Sequence, residues 1–266
     1  MFVDSHCHLS SPELIARLPE IRAAMRAAQV EKALCICTTL DEFERVHALV
    51  LDDADLWCSA GVHPDEEDSR EPTVEGLVAL AALPKVVAIG ETGLDYYRLG
   101  ERSIADMAWQ RDRFRVHVRA ARSSGKPLVV HTRSASADTL AVLREEQGEE
   151  AGGVFHCFTE TAEVARAALD LGFYISFSGI LTFRNAEELR GVAAFVPLDR
   201  CLIETDSPYL APMPLRGKVN TPANVPLVAA KLAEVKGVPI ERIAEVTRAN
   251  FAQLFPGTVP RSSSVS

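Results

Sequence analysis

Near the N-terminus, Val3-Asp4-Ser5-His6-Cys7-His8 sets two histidines one residue apart behind an apolar lead. Residues two apart on a β-strand share a face, so His6 and His8 would project side by side. Neutral imidazole is the commonest metal ligand. Taken alone, a His-x-His weighs evenly between a metal site and two solvated histidines at a strand end, because short motifs also match by chance. The remaining histidines shift that balance. His63, His131 and His156 each close an apolar, strand-like run, whereas His47 and His117 fall on helix-like stretches. Glu91 follows Ala88-Ile89-Gly90, and Asp206 follows Ile203-Glu204-Thr205, again at strand ends. A carboxylate buried there without a cation or hydrogen bonds is costly, and a metal supplies the compensation.

His6, His8, Glu91, His131, His156 and Asp206 are more ligands than one tetrahedral ion needs. A carboxylate such as Glu91 can bridge. Two ions about 3.5–4 Å apart suit phosphoester hydrolysis: they polarise a phosphoryl oxygen, activate water and steady the leaving oxygen. Imidazoles and carboxylates without thiolate admit one or two divalent ions, with Zn, Mn and Mg among the candidates.

Such a rim must be built by regular elements. The pattern predicts strands over 2–8, 33–38, 56–64, 86–91, 127–131, 153–156, 173–177 and 201–206. Between them, helical spacing runs from Pro12 through Leu14, Ile15, Leu18, Ile21 and Met25, then over 41–51, 74–83 and 103–122. Further helices are expected over 136–145, 161–171, 186–195, 225–236 and 240–254. Short strands that are apolar on both faces and alternate with helices indicate a parallel sheet covered on both sides. Eight such units in 266 residues predict a TIM (β/α)8 barrel, whose active site forms at the C-terminal strand ends. An open doubly wound sheet is the alternative, but the glycine-rich phosphate turn after the first strand is missing. The barrel is expected to occupy residues 1–258 as a single domain, with 259–266 a polar, disordered tail.

The formal charge of −9 argues against a broad basic face for gripping phosphate backbones, though not against a small phosphate site. Six scattered cysteines include no Cys-x-x-Cys pair, which excludes a zinc ribbon and suits buried thiols in a reducing compartment. Without a signal-type N-terminus or a membrane-length apolar run, a cytoplasmic protein is expected, with no membrane association and no obligate protein partner.

In order along the chain, these motifs resemble the TatD family of metal-dependent hydrolases, within the amidohydrolase-like barrels. The matching stretches are residues 3–8, Gly61-Val62-His63-Pro64, Gly90-Glu91-Thr92-Gly93-Leu94-Asp95-Tyr96-Tyr97, Pro127 to His131, Phe155-His156-Cys157-Phe158 and Glu204-Thr205-Asp206-Ser207-Pro208-Tyr209-Leu210. Arg216-Gly217-Lys218, Asn220 and Asn250-Phe251 follow in place. The resemblance implies a deoxyribonuclease-like enzyme acting on DNA ends or single-stranded DNA. It implies one metal on His6, His8, Glu91 and Asp206, and a second on Glu91, His131 and His156. It makes Asp206 the general base on the attacking water and brings His63 to the substrate as donor or acid. It assigns Arg216, Lys218 and Asn220 to phosphate or sugar. From the residues alone, Arg216 and Lys218 read as a solvated loop, and Asp95 as a carboxylate supporting a ligand. Tyr96 and Tyr97 read either as base-stacking residues or as rim packing. The pattern departs from the family at Thr159-Glu160, Leu215 and Thr221, none of them an expected metal ligand. Two other functions fit the same residues: hydrolysis of a small-molecule or aminoacyl-tRNA ester or amide by the same metals, and a metal-binding scaffold without turnover.

Overall fold

The computed structural model describes residues 1–258; the expected tail, 259–266, lies outside the described residues. Eight strands are hydrogen-bonded in sequence order, every pair parallel. They are β1 (Phe2–Cys7), β2 (Val30–Cys35), β3 (Leu56–Ala60), β4 (Val86–Asp95), β5 (Leu128–Arg133), β6 (Gly153–Phe155), β7 (Tyr174–Phe177) and β8 (Cys201–Ile203). The helices between and after them are α1 (Pro12–Ile15), α2 (Leu18–Ala27), α3 (Phe43–Leu51), α4 (Val74–Ala81), α5 (Ala108–Ser124), α6 (Ser136–Glu145), α7 (Ala162–Asp170), α8 (Glu187–Phe195), α9 (Val225–Lys236) and α10 (Ile240–Leu254). The expected TIM barrel is the fold. No helix among the described residues is long and apolar enough to cross a membrane.

One side chain from every strand meets at the barrel axis: Val3, Leu34, Trp57, Val87, Val129, Val154, Tyr174 and Leu202. Phe251 and Phe255, at the end of α10, pack into the same cluster and close the N-terminal mouth. A second, larger apolar layer lies between strands and helices. Both strand faces are therefore buried, which is why the strands read as continuous apolar runs rather than alternations.

β8 and β1 are joined by side chains as much as by backbone. His8 N–H donates to Ser207 O at 2.7 Å and Asp206 N–H to His6 O at 3.0 Å. Beneath them the buried Asp4 carboxyl receives the N–H groups of Thr205 (2.9 Å) and His6 (3.2 Å), together with the Thr205 hydroxyl. Burial pushes the Asp4 carboxyl up to about 8.

Several boundaries differ from expectation, three of them for identifiable reasons. The first helix is split, because Pro19 lacks an N–H and its ring opposes the carbonyl four residues back. β2 begins at Val30 rather than 33. Half-buried Glu31 and Lys32 are tolerated there because their stems lie along the barrel while their heads leave it, Lys32 Nζ reaching Thr258 O at 3.2 Å. β4 runs on to Asp95 instead of ending at Glu91. That extension depends on Gly93, at φ +131°, where a Cβ would lie 1.9 Å from His131 O.

Candidate metal centre and cleft

The barrel ladder changes register between Asp4 and Cys7 and again between Ile89 and Thr92. Such irregularities re-aim side chains, and these two lie where the chain delivers His6 and Glu91. His6 Nε2 is 3.3 Å from His8 Nε2, 3.3 Å from Glu91 Oε2 and 3.6 Å from Asp206 Oδ1. His8 Nε2 is 3.3 Å from the same Asp206 oxygen. The other oxygen of Glu91 faces a different group. Oε1 is 2.7 Å from His156 Nε2, 3.4 Å from His131 Nδ1 and 3.4 Å from His63 Nε2. One carboxylate thus stands between two clusters of nitrogen and oxygen donors, and both clusters are drawn from strand ends.

Hydrogen bonds fix which nitrogens are free. His131 Nε2 lies 2.9 Å from Asp95 Oδ2, and His156 Nδ1 lies 3.2 Å from Glu204 Oε1. An ionised carboxylate can only accept, so those nitrogens carry the protons. In the neutral rings, Nδ1 of His131 and Nε2 of His156 are then the lone pairs aimed at Glu91, the arrangement by which metal-binding histidines are oriented. The buried His156 Nε2 makes no directed hydrogen bond despite its short approach to Glu91, and His6 Nδ1 and Glu204 Oε2 are also unpartnered. Lone pairs and carboxylate oxygens facing one another across 3–4 Å repel unless positive charge sits among them. Three combinations of these residues bring ligand atoms within 4.8 Å of one another: His6-His156-Asp206, His6-His8-Glu91 and His63-Glu91-His131. The residues present fit a divalent cation.

Protonation tells the same story. Burial works against charge on His8, yet Asp206 and Glu91 hold it above the ordinary histidine range. His131, through Asp95 and Glu91, and His156, through Glu91 and Glu204, are likewise raised against burial, His156 strongly. Burial pushes Glu91 and Asp206 up, but the surrounding histidines outweigh it and hold both down. His6 is the exception, lowered by burial and by its stacked neighbour His156. Without metal, protons gather where the carboxylates demand positive charge, and metal binding releases such protons.

His63 is held differently from the other histidines of the rim. Its Nδ1 accepts the Asp65 N–H at 3.0 Å, so in the neutral ring Nε2 carries the proton and points a donor into the site. Asp206 adopts φ +55°, a left-handed conformation that Asp tolerates better than most residues and that is concentrated at functional sites.

A cleft of about 880 Å³ opens above these residues. His8, His63, Glu91, His131, His156 and Asp206 line it, while His6 lies fully buried behind them. The four remaining expected substrate contacts do not reach the cleft wall. Asn220 is buried, and its amide donates to Thr205 O (3.0 Å) and Tyr209 O (2.8 Å), so it braces the loop that carries Asp206. Tyr96 is buried against Asp138 and Arg111, bonded through its hydroxyl at 2.8 and 2.9 Å. Arg216 and Lys218 sit on an exposed loop outside the cleft lining, with the Arg216 guanidinium 4.5 Å over the Phe183 ring.

Three supports carry no local signature in the sequence of the partners they hold. Glu204 and Asp4 stood inside quoted motifs, but nothing in their spacing gave them partners. The third is a polar stripe on α5. Gln110, Arg113 and His117 lie three and four residues apart and are all buried. Gln110 joins Pro64 O to Asp95 N–H, each at 3.0 Å. Arg113 donates to His63 O and Glu66 O. His117 Nε2 accepts the Val62 N–H at 3.0 Å while Nδ1 donates to Arg113 O, and burial lowers its pKa to about 4. Polar residues at helical spacing on the buried side of a helix were the available signal.

A parallel eight-stranded barrel that converges histidines and carboxylates at its C-terminal rim defines the class as metal-dependent hydrolase. A family profile described as TatD related DNase matches residues 3–256. The metal-dependent hydrolase YcfH of Escherichia coli strain K12, named as uncharacterized, is 49% identical over 267 residues, spanning 99% of this chain and 98% of that protein. A Citrobacter rodentium protein named 3'-5' ssDNA/RNA exonuclease TatD is 35% identical over 95% of this chain and 97% of its own. The crystal structure of the E. coli TatD homologue YJJV superposes with a TM-score of 0.88 at 27% identity, covering 97% of this chain and 98% of that one. This chain belongs to the TatD family.

Proposed function

We propose that this chain is a nuclease that hydrolyses phosphodiester bonds at the ends of single-stranded DNA, with the barrel of residues 1–258 as its catalytic unit. The observation that carries this reading is the division of Glu91, whose two oxygens face two separate donor clusters. That geometry suits a pair of divalent ions, one held by His6, His8, Glu91 and Asp206, the other by Glu91, His131 and His156. Bound there, the ions would supply Lewis-acid stabilisation of the phosphoryl oxygens and activation of water.

The chain's own residues supply the rest. Asp206 is held in its ionised form against burial by His8 and His6, which leaves its carboxylate ready to accept the proton of the attacking water. His63 Nε2–H is placed to donate to a phosphoryl or leaving oxygen. Asp95 and Glu204 keep His131 and His156 in the required tautomers. The exonuclease name of the C. rodentium relative supports the choice of substrate. All six cysteines are free, and five are buried, which suits a cytoplasmic setting.

The test compares bis(p-nitrophenyl) phosphate with a p-nitrophenyl carboxyl ester, using protein loaded with Mg, Mn or Zn. Phosphodiester hydrolysis exceeding ester hydrolysis is expected. Turnover of the carboxyl ester alone would transfer the activity to the small-molecule or aminoacyl-ester reading. Absence of turnover on both, in protein shown to hold metal, would favour a scaffold.

A further inference from the structure

Beside the ligands, where β4 and β5 end, stands a group of residues to which the reaction as described gives no part. Arg133 lies two residues beyond His131 on β5, hence about 7 Å further along the strand and on the same face, towards the cleft mouth. It lines the cleft together with Arg98, from the segment after β4. Neither guanidinium has a carboxylate partner within 4.0 Å among the described residues, although the chain carries a net charge of −9. An exposed Arg98 and a half-buried Arg133, both without a carboxylate partner at the cleft mouth, are available to an anion.

Tyr97 precedes Arg98 in the chain and, though not itself part of the cleft lining, reaches the cleft mouth through its contact with Arg133. Unlike Tyr96, which is buried and hydrogen-bonded, Tyr97 is 60% exposed. The Arg133 guanidinium sits 3.6 Å from the centre of its ring. One face of the ring is therefore covered by a planar cation while much of the ring stays open to solvent. The Tyr97 backbone is held by an N–H bond to Asp95 Oδ1 at 2.8 Å, and Asp95 also holds His131. The ring is thus tied through one carboxylate to the residue beside the reacting centre. Aromatic rings and guanidinium planes are the surfaces on which unpaired bases stack, and an aromatic–guanidinium pair presents both at once. The cleft's other arginine, Arg45, is by contrast paired with Glu42 at 3.1 Å.

We propose that Tyr97, Arg133 and Arg98 form a nucleotide subsite next to the scissile phosphate. Tyr97 stacks the base, with its ring oriented by Arg133, and the two guanidiniums hold the adjoining phosphate. The subsite rests on the phosphodiesterase reading and adds to it a direction: the retained strand leaves the centre over β4 and β5. It also requires an unpaired base, and so favours single strands over duplex ends.

The experiment uses the metal-loaded full chain and single-stranded oligodeoxynucleotides that carry either a normal or an abasic residue beside the scissile phosphate. Wild-type protein is expected to show a KM about tenfold higher for the abasic substrate, the scale of one stacked base. In Tyr97→Ala that ratio falls to about one, because the partner of the missing base has already gone, and Tyr97→Phe restores it. Arg98→Gln with Arg133→Gln raises KM for both substrates and flattens its salt dependence. Fluorescence anisotropy of a labelled oligonucleotide on the metal-free protein gives a second readout, in which Tyr97→Ala weakens binding by about the same factor. An abasic penalty equal in wild type and Tyr97→Ala, with wild-type cleavage intact, would overturn the subsite alone. No phosphodiester cleavage by loaded wild-type protein would overturn the nuclease reading and the subsite with it.

Discussion

At the scale of single residues, the roles follow from which atom of each ring or carboxylate is already engaged. His131 and His156 spend one nitrogen on a carboxylate and keep the other for the centre, whereas His63 accepts a backbone N–H and keeps a donor. Asp206→Asn preserves size but removes the basic oxygen. It is expected to cut turnover by roughly two to four orders of magnitude, measured by steady-state hydrolysis, with circular dichroism unchanged. His117 makes a prediction about stability. Its pKa is lowered by burial to about 4, so between pH 6.5 and 4 the unfolded chain takes up a proton that the folded chain refuses. Stability contributed by the neutral ring is present above pH 6.5 and is lost as pH falls towards 4, by about 3 kcal/mol in all. Urea denaturation at pH 7 and pH 4.5 should show a smaller pH-dependent loss in His117→Gln than in wild type. Equal losses would show that His117 does not titrate this way.

At the scale of elements, two devices hold the ligands in place. One is the seam between β1 and β8, where Asp4 gathers the N–H groups of His6 and Thr205 on either side of the centre. Asp4→Ala removes the acceptor of both N–H groups and of the Thr205 hydroxyl. It is expected to weaken metal affinity about 10- to 100-fold, as losses of supporting hydrogen bonds do; isothermal titration with Mn or Zn would measure it. The other is the polar stripe of α5, which pins the loop of His63 through Gln110, Arg113 and His117. The strands and helices themselves were legible, with α6, α9 and α10 matching their expected limits. A strand buried on both faces announces itself by apolar runs, and the rim residues by their position at the ends of those runs. The supports were not legible, because Asp4, Glu204 and α5 act across 15 to 200 residues of chain through pairings that no local pattern encodes. The loop cations show the same limit: Arg216 and Lys218 have suitable chemistry but are not among the residues that line the cleft, whereas Arg98 and Arg133 are.

Across the whole molecule, the barrel gathers its carboxylates and histidines into one desolvated centre while its net charge stays at −9. A cation there satisfies atoms that the protein leaves unpartnered, so metal should stabilise the fold as well as the chemistry. At a free metal concentration about 100 times the Kd, binding contributes about 2.7 kcal/mol. Stripping the metal with a chelator is therefore expected to lower Tm by about 5–10 °C, read by differential scanning calorimetry and reversed on adding metal back. An unchanged Tm would mean that the centre does not bind metal in the folded state. The most direct test of the central claim is hydrolysis of a 3′-labelled single-stranded DNA by protein stripped of metal and then given Mg, Mn or Zn in turn. The stripped protein should leave the DNA intact, and stepwise loss of nucleotides should follow once a working ion is restored. Intact DNA with every ion, from protein shown by metal analysis to be loaded, would contradict that claim.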